Sequence, residues 1–192
     1  MDTSLVLGII GSVCSIIAYI LYISDILHGH TKPHAFSWLP WGILATLTAT
    51  IQFQNGAGWA TLITLIGGIS NTGIFLFSHK YGEKEIHKKD WILLIVALII
   101  LTSWIFTKEG LISILLVCLV DSIAFYFTWK KSYKKPYEEN ILSYFLWTLG
   151  FLFSLLAVNT WEPTNWLYPA FLLLTEGCFT IFLFWRRKII RK

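Results

Sequence analysis

Seven stretches of this sequence are each apolar for about the ~20 residues a helix needs to cross a bilayer. They cover residues 4–27, 36–53, 59–78, 91–106, 111–129, 141–158 and 166–185. No water satisfies an exposed peptide group in hydrocarbon, so each stretch must close its own backbone hydrogen bonds as an α-helix. Of the 192 residues, 56% are hydrophobic and only 14% charged, with a mean hydropathy of +0.65. A soluble domain of this length could not bury so much apolar surface. The expected fold is therefore all-α and integral to a membrane, with seven transmembrane helices. The chain begins Met-Asp-Thr-Ser, with no basic residues ahead of the first stretch. That stretch is too long for a cleaved leader, so it reads as a retained span.

Internal repetition is the second constraint. Residues 22–42 (YISDILHGHTKPHAFSWLPWG) and 125–150 (FYFTWKKSYKKPYEENILSYFLWTLG) read alike. In both, an apolar helix ends, a basic loop carries Lys-Pro, and a Ser/aromatic/Trp segment opens the next helix. Lys32-Pro33 precedes Lys135-Pro136 by 103 positions, and Ser37 and Trp41 precede Ser143 and Trp147 by 106. Trp59 precedes Trp166, and the Ile-Phe-Leu-Phe at 74–77 precedes that at 181–184, by 107. Helices one to three thus match helices five to seven, and the fourth has no counterpart. The expected plan is 3+1+3: residues 1–82 as the first three-helix repeat, 83–108 as the linker helix and its loop, and 109–192 as the second repeat with a basic tail. An odd linker returns the chain to its starting side, which makes the repeats parallel about an axis along the membrane normal.

Every Lys and Arg except Lys108 falls in the loops after helices one, three and five or in the C-terminal tail. Basic loops remain in the cytoplasm. The expected topology is thus a multi-pass protein of the cell (inner) membrane, N-terminus outside and C-terminus inside. The net charge of +4 is this topological signal, and no nucleic acid is expected as a partner. Trp59, Trp91, Trp129, Trp161, Trp166 and Trp185 sit at or near run ends, as an interfacial belt requires. Trp41 and Trp147 lie a turn or more inside their helices at equivalent places, as belt members or as walls of a path.

Ionisable groups inside a span are costly and face a cavity or a partner. Asp121 in helix five and Glu176 in helix seven are of this kind, with Asn71 in helix three as a neutral companion. Counted from the basic ends of their helices, all three lie roughly 12–15 Å deep, near the midplane. Thr64, Gly67, Gly68 and Ser78 share the Asn71 face, Cys118 and Thr128 that of Asp121, and Pro169 and Thr180 that of Glu176. Gly8, Gly11, Gly67 and Gly68 are expected to let helices approach closely, and Asn71 also suits interhelical hydrogen bonding. Asp25, near the basic end of helix one, fits a solvated helix end or a gate. Pro40 suits either the first turn of helix two or a hinge. The three cysteines, Cys14, Cys118 and Cys178, lie in three different runs, so no disulfide is expected. His28, His30 and His34 crowd one Pro-containing loop with no carboxylate between them, and no metal or other cofactor is expected. No nucleophile elbow, phosphate loop or HExxH motif is present, so enzymatic activity is not expected.

This plan, with Lys-Pro loops leading to Ser37 and Ser143, resembles the PQ-loop and SWEET transporter superfamily over nearly the whole chain. Pnu-type vitamin carriers are similar in layout. The Pro-Gln pair that closes the first helix of each repeat in that superfamily is absent: Ser24-Asp25 and roughly Phe127-Thr128 stand there. SWEET-like carriers hold substrate between the third helices of the repeats with paired asparagines and tryptophans. The resemblance puts Asn71 at the first asparagine, Cys178 at the second with Glu176 a half-turn earlier, and Trp41 and Trp147 at the tryptophans.

The expected function is alternating-access transport of a small polar solute, sugar-like or vitamin-like, with Asn71, Glu176, Trp41, Trp147 and Asp121 binding it. Asp121 and Glu176 are also the proton-coupling candidates. The alternative is a non-transporting receptor or assembly protein that docks partners through the charged 80–90 loop (KYGEKEIHKKD). Expected partners are the substrate and the lipid bilayer, with a homo-oligomer left open. The basic asymmetry makes a direct prediction: a cysteine placed in the C-terminal tail will be shielded from impermeant thiol reagents in intact cells. Labelling of that cysteine from outside would refute the topology and the repeat argument with it.

Overall fold

The computed structural model describes residues 2–31, 33, 35–82 and 88–190, without the side chains of residues 35–37, 79, 89, 90, 93 and 127. Lys32, His34, Lys84, Arg191, Lys192 and the 83–87 part of the charged 80–90 loop lie outside the described residues. Seven α-helices form among the described residues: α1 (Thr3–Leu27), α2 (Ala35–Gln54), α3 (Thr61–Tyr81), α4 (Lys88–Thr107), α5 (Gly110–Lys134), α6 (Ile141–Leu156) and α7 (Pro163–Ile189). Short 3-10 turns at Gly58–Ala60 and Pro136–Glu138 precede α3 and α6, and there is no strand among the described residues. Each apolar run has become one helix. By length and composition, α1, α5, α7 and the Gly58–Ser78 segment that holds most of α3 could each cross a membrane. The chain fits a membrane protein.

The helices depart from the apolar runs mainly at their ends. α5 and α7 continue past their last apolar residues into Lys131, Lys134 and Arg186, Arg187, Lys188. Cations there oppose the negative end of the helix dipole. α7 begins at Pro163, where a missing N–H removes no helical bond. Within the helices, hydroxyls return to their own backbone: Thr46 to Gly42 O, Thr72 to Gly68 O and Thr148 to Tyr144 O, each at 2.8 Å. An apolar surround rewards that economy, since no other acceptor is at hand. Pro40 lies inside α2, beyond its first turn, and Pro169 lies inside α7.

The closest-packed pairs are α2 with α3, α1 with α6, and α6 with α7; α4 packs on α2 and α5 at the edge of the bundle. Burial is inverted relative to a soluble domain. Phe53, Leu76, Phe106 and Ile181 stand well exposed, whereas Thr48, Gln52, Ser132, Ser143, Ser154 and Asn165 are fully buried. Two apolar clusters divide the interior along its length. One, around Trp38, Tyr22, Phe179 and Leu183, lies toward the end that carries the basic loops. The other, around Leu47, Ile51, Val117 and Trp104, lies toward the opposite end. The space between them is the polar cavity described next.

Close approach rests on particular glycines. A Cβ on Gly11 would stand 2.9 Å from Gly150 O, where α1 meets α6. One on Gly68 would strike the Thr46 hydroxyl and stand 3.0 Å from Thr46 N, where α3 meets α2. Gly67 differs from its neighbour, because the nearest atom to its Cβ would be Tyr19 Oη at 3.6 Å. It faces open space rather than a tight seam. Gly68→Leu should therefore destabilise the fold by about 1–3 kcal/mol, while Gly67→Ala leaves it nearly unchanged. Thermal melts of the two variants check this, and an unaltered Tm for Gly68→Leu would contradict it.

Candidate functional site

Side chains from α1, α2, α3, α5, α6 and α7 meet around one cavity, to which the described residues of α4 contribute none. It encloses about 60 Å³ open to water-sized molecules, room for several waters or a small solute. Helical spacing explains the lining. Thr64, Gly67 and Asn71 recur every three or four residues on α3, Tyr168, Leu172 and Glu176 every four on α7, and Trp38, Trp41 and Ala45 likewise on α2. Such positions share one helix face.

Asp121, Glu176, Asn71, Trp41 and Trp147 all line this one cavity. Of the neighbours on their helix faces, Thr64 and Gly67 join them, while Cys118, Thr128, Thr180 and Ser78 are not in the lining. Cys178, opposite Asn71 at the 107 spacing, is exposed. Counted two positions shorter, the spacing carries Asn71 to Glu176 and Gly67 to Leu172, both in the lining.

Tyrosines hold the polar groups in place. Tyr168 Oη donates to Asp121 Oδ2 at 2.9 Å, and Tyr19 Oη donates to Asn71 Oδ1 at 2.8 Å. Asp121 is 2% exposed and Glu176 8%. Four buried polar atoms of lining residues have no hydrogen-bond partner among the described residues: Asp121 Oδ1, Glu176 Oε2, Thr64 Oγ1 and Trp147 Nε1. Each such atom costs roughly 1–3 kcal/mol unless something hydrogen-bonds to it. The remaining walls are aromatic. Trp147 packs on Tyr19, Tyr22 and Tyr144 at centroid distances of 5.0, 5.7 and 5.3 Å. Trp41 lies edge-on to Trp38 at 5.3 Å and tilted to Phe125 at 6.2 Å. No Lys, Arg or His appears among the described lining residues.

Polar clasps lie at both ends of the bundle and join its first half to its second. At the basic end, Asn140 Nδ2 donates to Asp25 Oδ2 at 2.8 Å, and Asn140 Oδ1 caps α6 by accepting from Ser143 N. Asp25 is therefore neither free nor fully solvated. It ties the end of α1 to the start of α6, with His30 Nδ1 3.6 Å from its other oxygen. Next to it, the buried Glu139 carboxylate takes Lys131 Nζ at 3.2 Å and the Tyr144 hydroxyl at 3.3 Å. Arg187 donates to the Glu139 carbonyl from the end of α7. At the opposite end, Gln52 Nε2 donates to Asn165 O at 3.0 Å, and Asn165 Nδ2 donates to Asn55 O and Thr160 O. Tyr144 belongs both to the basic-end clasp and to the cavity wall.

Reasoning from sequence passed over Tyr19, Tyr168, Trp38, Phe125 and Tyr144. For Tyr168, Trp38, Phe125 and Tyr144 the available signal was register, since each shares a helix face with Glu176, Trp41, Asp121 or Trp147, whereas Tyr19 stands alone on α1 with no such neighbour. No family model matches the chain, and neither a curated protein nor a solved structure matches it significantly.

Burial holds the Glu139 carboxyl above its ordinary value of 4.5, opposed by Lys131 and the Tyr144 hydroxyl. An acid whose folded pKa is raised stabilises the fold fully below its unfolded pKa. The contribution is lost as pH rises through the raised value. Glu139→Gln should therefore match wild type in Tm below about pH 4.5 and gain on it as pH rises. Thermal melts across that range are the measurement, and parallel Tm-against-pH curves would disprove it.

Proposed function

We propose that this chain is a membrane transporter that moves a small polar solute by alternating access around the central cavity. The observation that carries the reading is a lining drawn from six helices but not from α4, with four buried polar atoms that lack protein partners. Six more such atoms, on Thr48, Gln52, Thr61, Ser132, Thr164 and Asn165, lie apart from this lining, so what marks the site is the convergence of four on one cavity, two of them on acids. A solute that offers hydrogen bonds satisfies them only while it is bound.

The proposed plan is two parallel three-helix repeats, residues 1–82 and 109–192, linked by α4. Three lining pairs on α2 and α6 support it at one spacing of 106: Trp38 with Tyr144, Trp41 with Trp147, and Ala45 with Phe151. Asn71, Glu176, Trp41, Trp147 and Asp121 are the proposed substrate contacts. Clasps that join the halves at both ends suit a carrier that opens one mouth at a time. Opening toward the cytoplasm would part Asp25 from Asn140, and opening outward would part Gln52 from Asn165. The basic end would face the cytoplasm in a cell membrane.

Asp121 and Glu176 are the proposed proton-coupling groups, since an acid that gains and loses a proton as access alternates links flux to a proton gradient. In proteoliposomes, Asp121→Asn and Glu176→Gln, which keep size while removing titration, should fold normally and lose the pH dependence of uptake. Unchanged rate and unchanged pH dependence in both variants would leave these acids a structural role alone. A thermal-shift screen of sugars, amino acids and vitamins on the purified protein supplies the substrate for the assay.

A further inference from the structure

We infer that the solute held in this cavity is a small organic cation that carries a hydrogen-bonding group, such as an amine or quaternary ammonium alcohol. The inference rests on the transporter reading and names the substrate class of the same site.

The charge of the lining is the first reason. Two carboxylates, Asp121 and Glu176, share the cavity, and no Lys, Arg or His stands among the described lining residues to balance them. Tyr168 gives Asp121 a hydroxyl but no charge. Asp121 Oδ1 and Glu176 Oε2 are buried acceptors without a protein donor. An anionic solute would meet repulsion from either acid once ionised, whereas a buried acid with no counter-charge keeps its proton, so a cation is the solute that draws both acids into their charged form. A cation supplies what the protein withholds.

The walls are the second reason. Trp38, Trp41, Trp147, Phe125 and Tyr144 surround the carboxylates with aromatic surface. The electron-rich face of an aromatic ring attracts a positive group, and rings arranged about a pocket are how quaternary ammonium ions are held.

The remaining unpartnered atoms refine the class. Trp147 Nε1 can only donate, and the Thr64 hydroxyl can donate or accept. Both would serve a hydroxyl or carbonyl oxygen on the solute, while the carboxylates and rings take its positive end.

The test uses the full-length protein in detergent and in liposomes, with choline, methylammonium and a short diamine as cation probes. The control is 3,3-dimethylbutan-1-ol, which copies the shape of choline without its charge; glucose and acetate represent neutral and anionic solutes. The proposal expects at least one cation to raise Tm, quench tryptophan fluorescence and be taken up. If choline binds, the uncharged alcohol should bind at least about tenfold more weakly. Asp121→Asn with Glu176→Gln should weaken cation binding by about tenfold or more. Trp41→Leu should weaken it too, with Trp41→Phe largely restoring it. Equal binding of choline and its uncharged analogue on the wild-type protein, which needs no variant to fold, would overturn the cation class. So would uptake of glucose or acetate without uptake of any cation, and in that case the transporter reading stands. Absence of binding and uptake for every solute, including those of the screen, would overturn both.

Discussion

The cost of placing polar groups out of water governs this structure. Hydrocarbon outside and close packing inside leave each hydroxyl, amide and carboxylate three choices: its own helix, a neighbouring helix, or no protein partner. Most threonines take the first, bonding back four residues. Gln52, Asn165, Ser143 and Ser154 take the second and thereby tie helices together: Ser143 Oγ donates to Ala18 O and Ser154 Oγ to Ala60 O, both at 3.0 Å. Asp121, Glu176, Thr64 and Trp147 each keep one atom in the third state, all on residues that line the cavity. The first two choices build a scaffold, and the last leaves a site within it.

Tyrosine mediates between scaffold and site. Tyr19 and Tyr168 each spend a hydroxyl on a cavity group, which fixes Asn71 and Asp121 in orientation without neutralising the acid. Tyr144 spends its own on Glu139 and so connects the cavity wall to the clasp beneath it. A phenol suits this position because its ring packs among Trp147 and Phe179 while its oxygen reaches a polar partner.

Helix number and type were legible in the sequence because an apolar run of membrane length admits only a helix. That Asn71, Asp121 and Glu176 share one level of the bundle was legible because a helix rises evenly from its end, and the structure gathers all three at one cavity. The rest was hidden for physical reasons. A tyrosine within an apolar run reads as ordinary core, since its hydroxyl partner lies on another helix and at no regular spacing. Glu139 sits in Pro-Tyr-Glu-Glu-Asn, which reads as a solvated loop, yet it is 5% exposed beneath the end of α7. Burial of a loop acid depends on what folds over it, and Arg187 is nearly fifty residues away in the chain.

The two seams between the first and second halves are unequal. Along α1 and α6 the backbones touch through Gly11 and Gly150, and Ser143 stitches them further. α2 meets α5 much more sparsely, and α4 packs on both. The halves are bound along α1 and α6 like the spine of a book, whereas α2 and α5 form a looser fore-edge with α4 packed along it. Separating the fore-edge would break fewer contacts than separating the spine, and α4, packed on both α2 and α5, resists it. Substitutions on α4 would change that resistance without touching a described residue of the cavity lining.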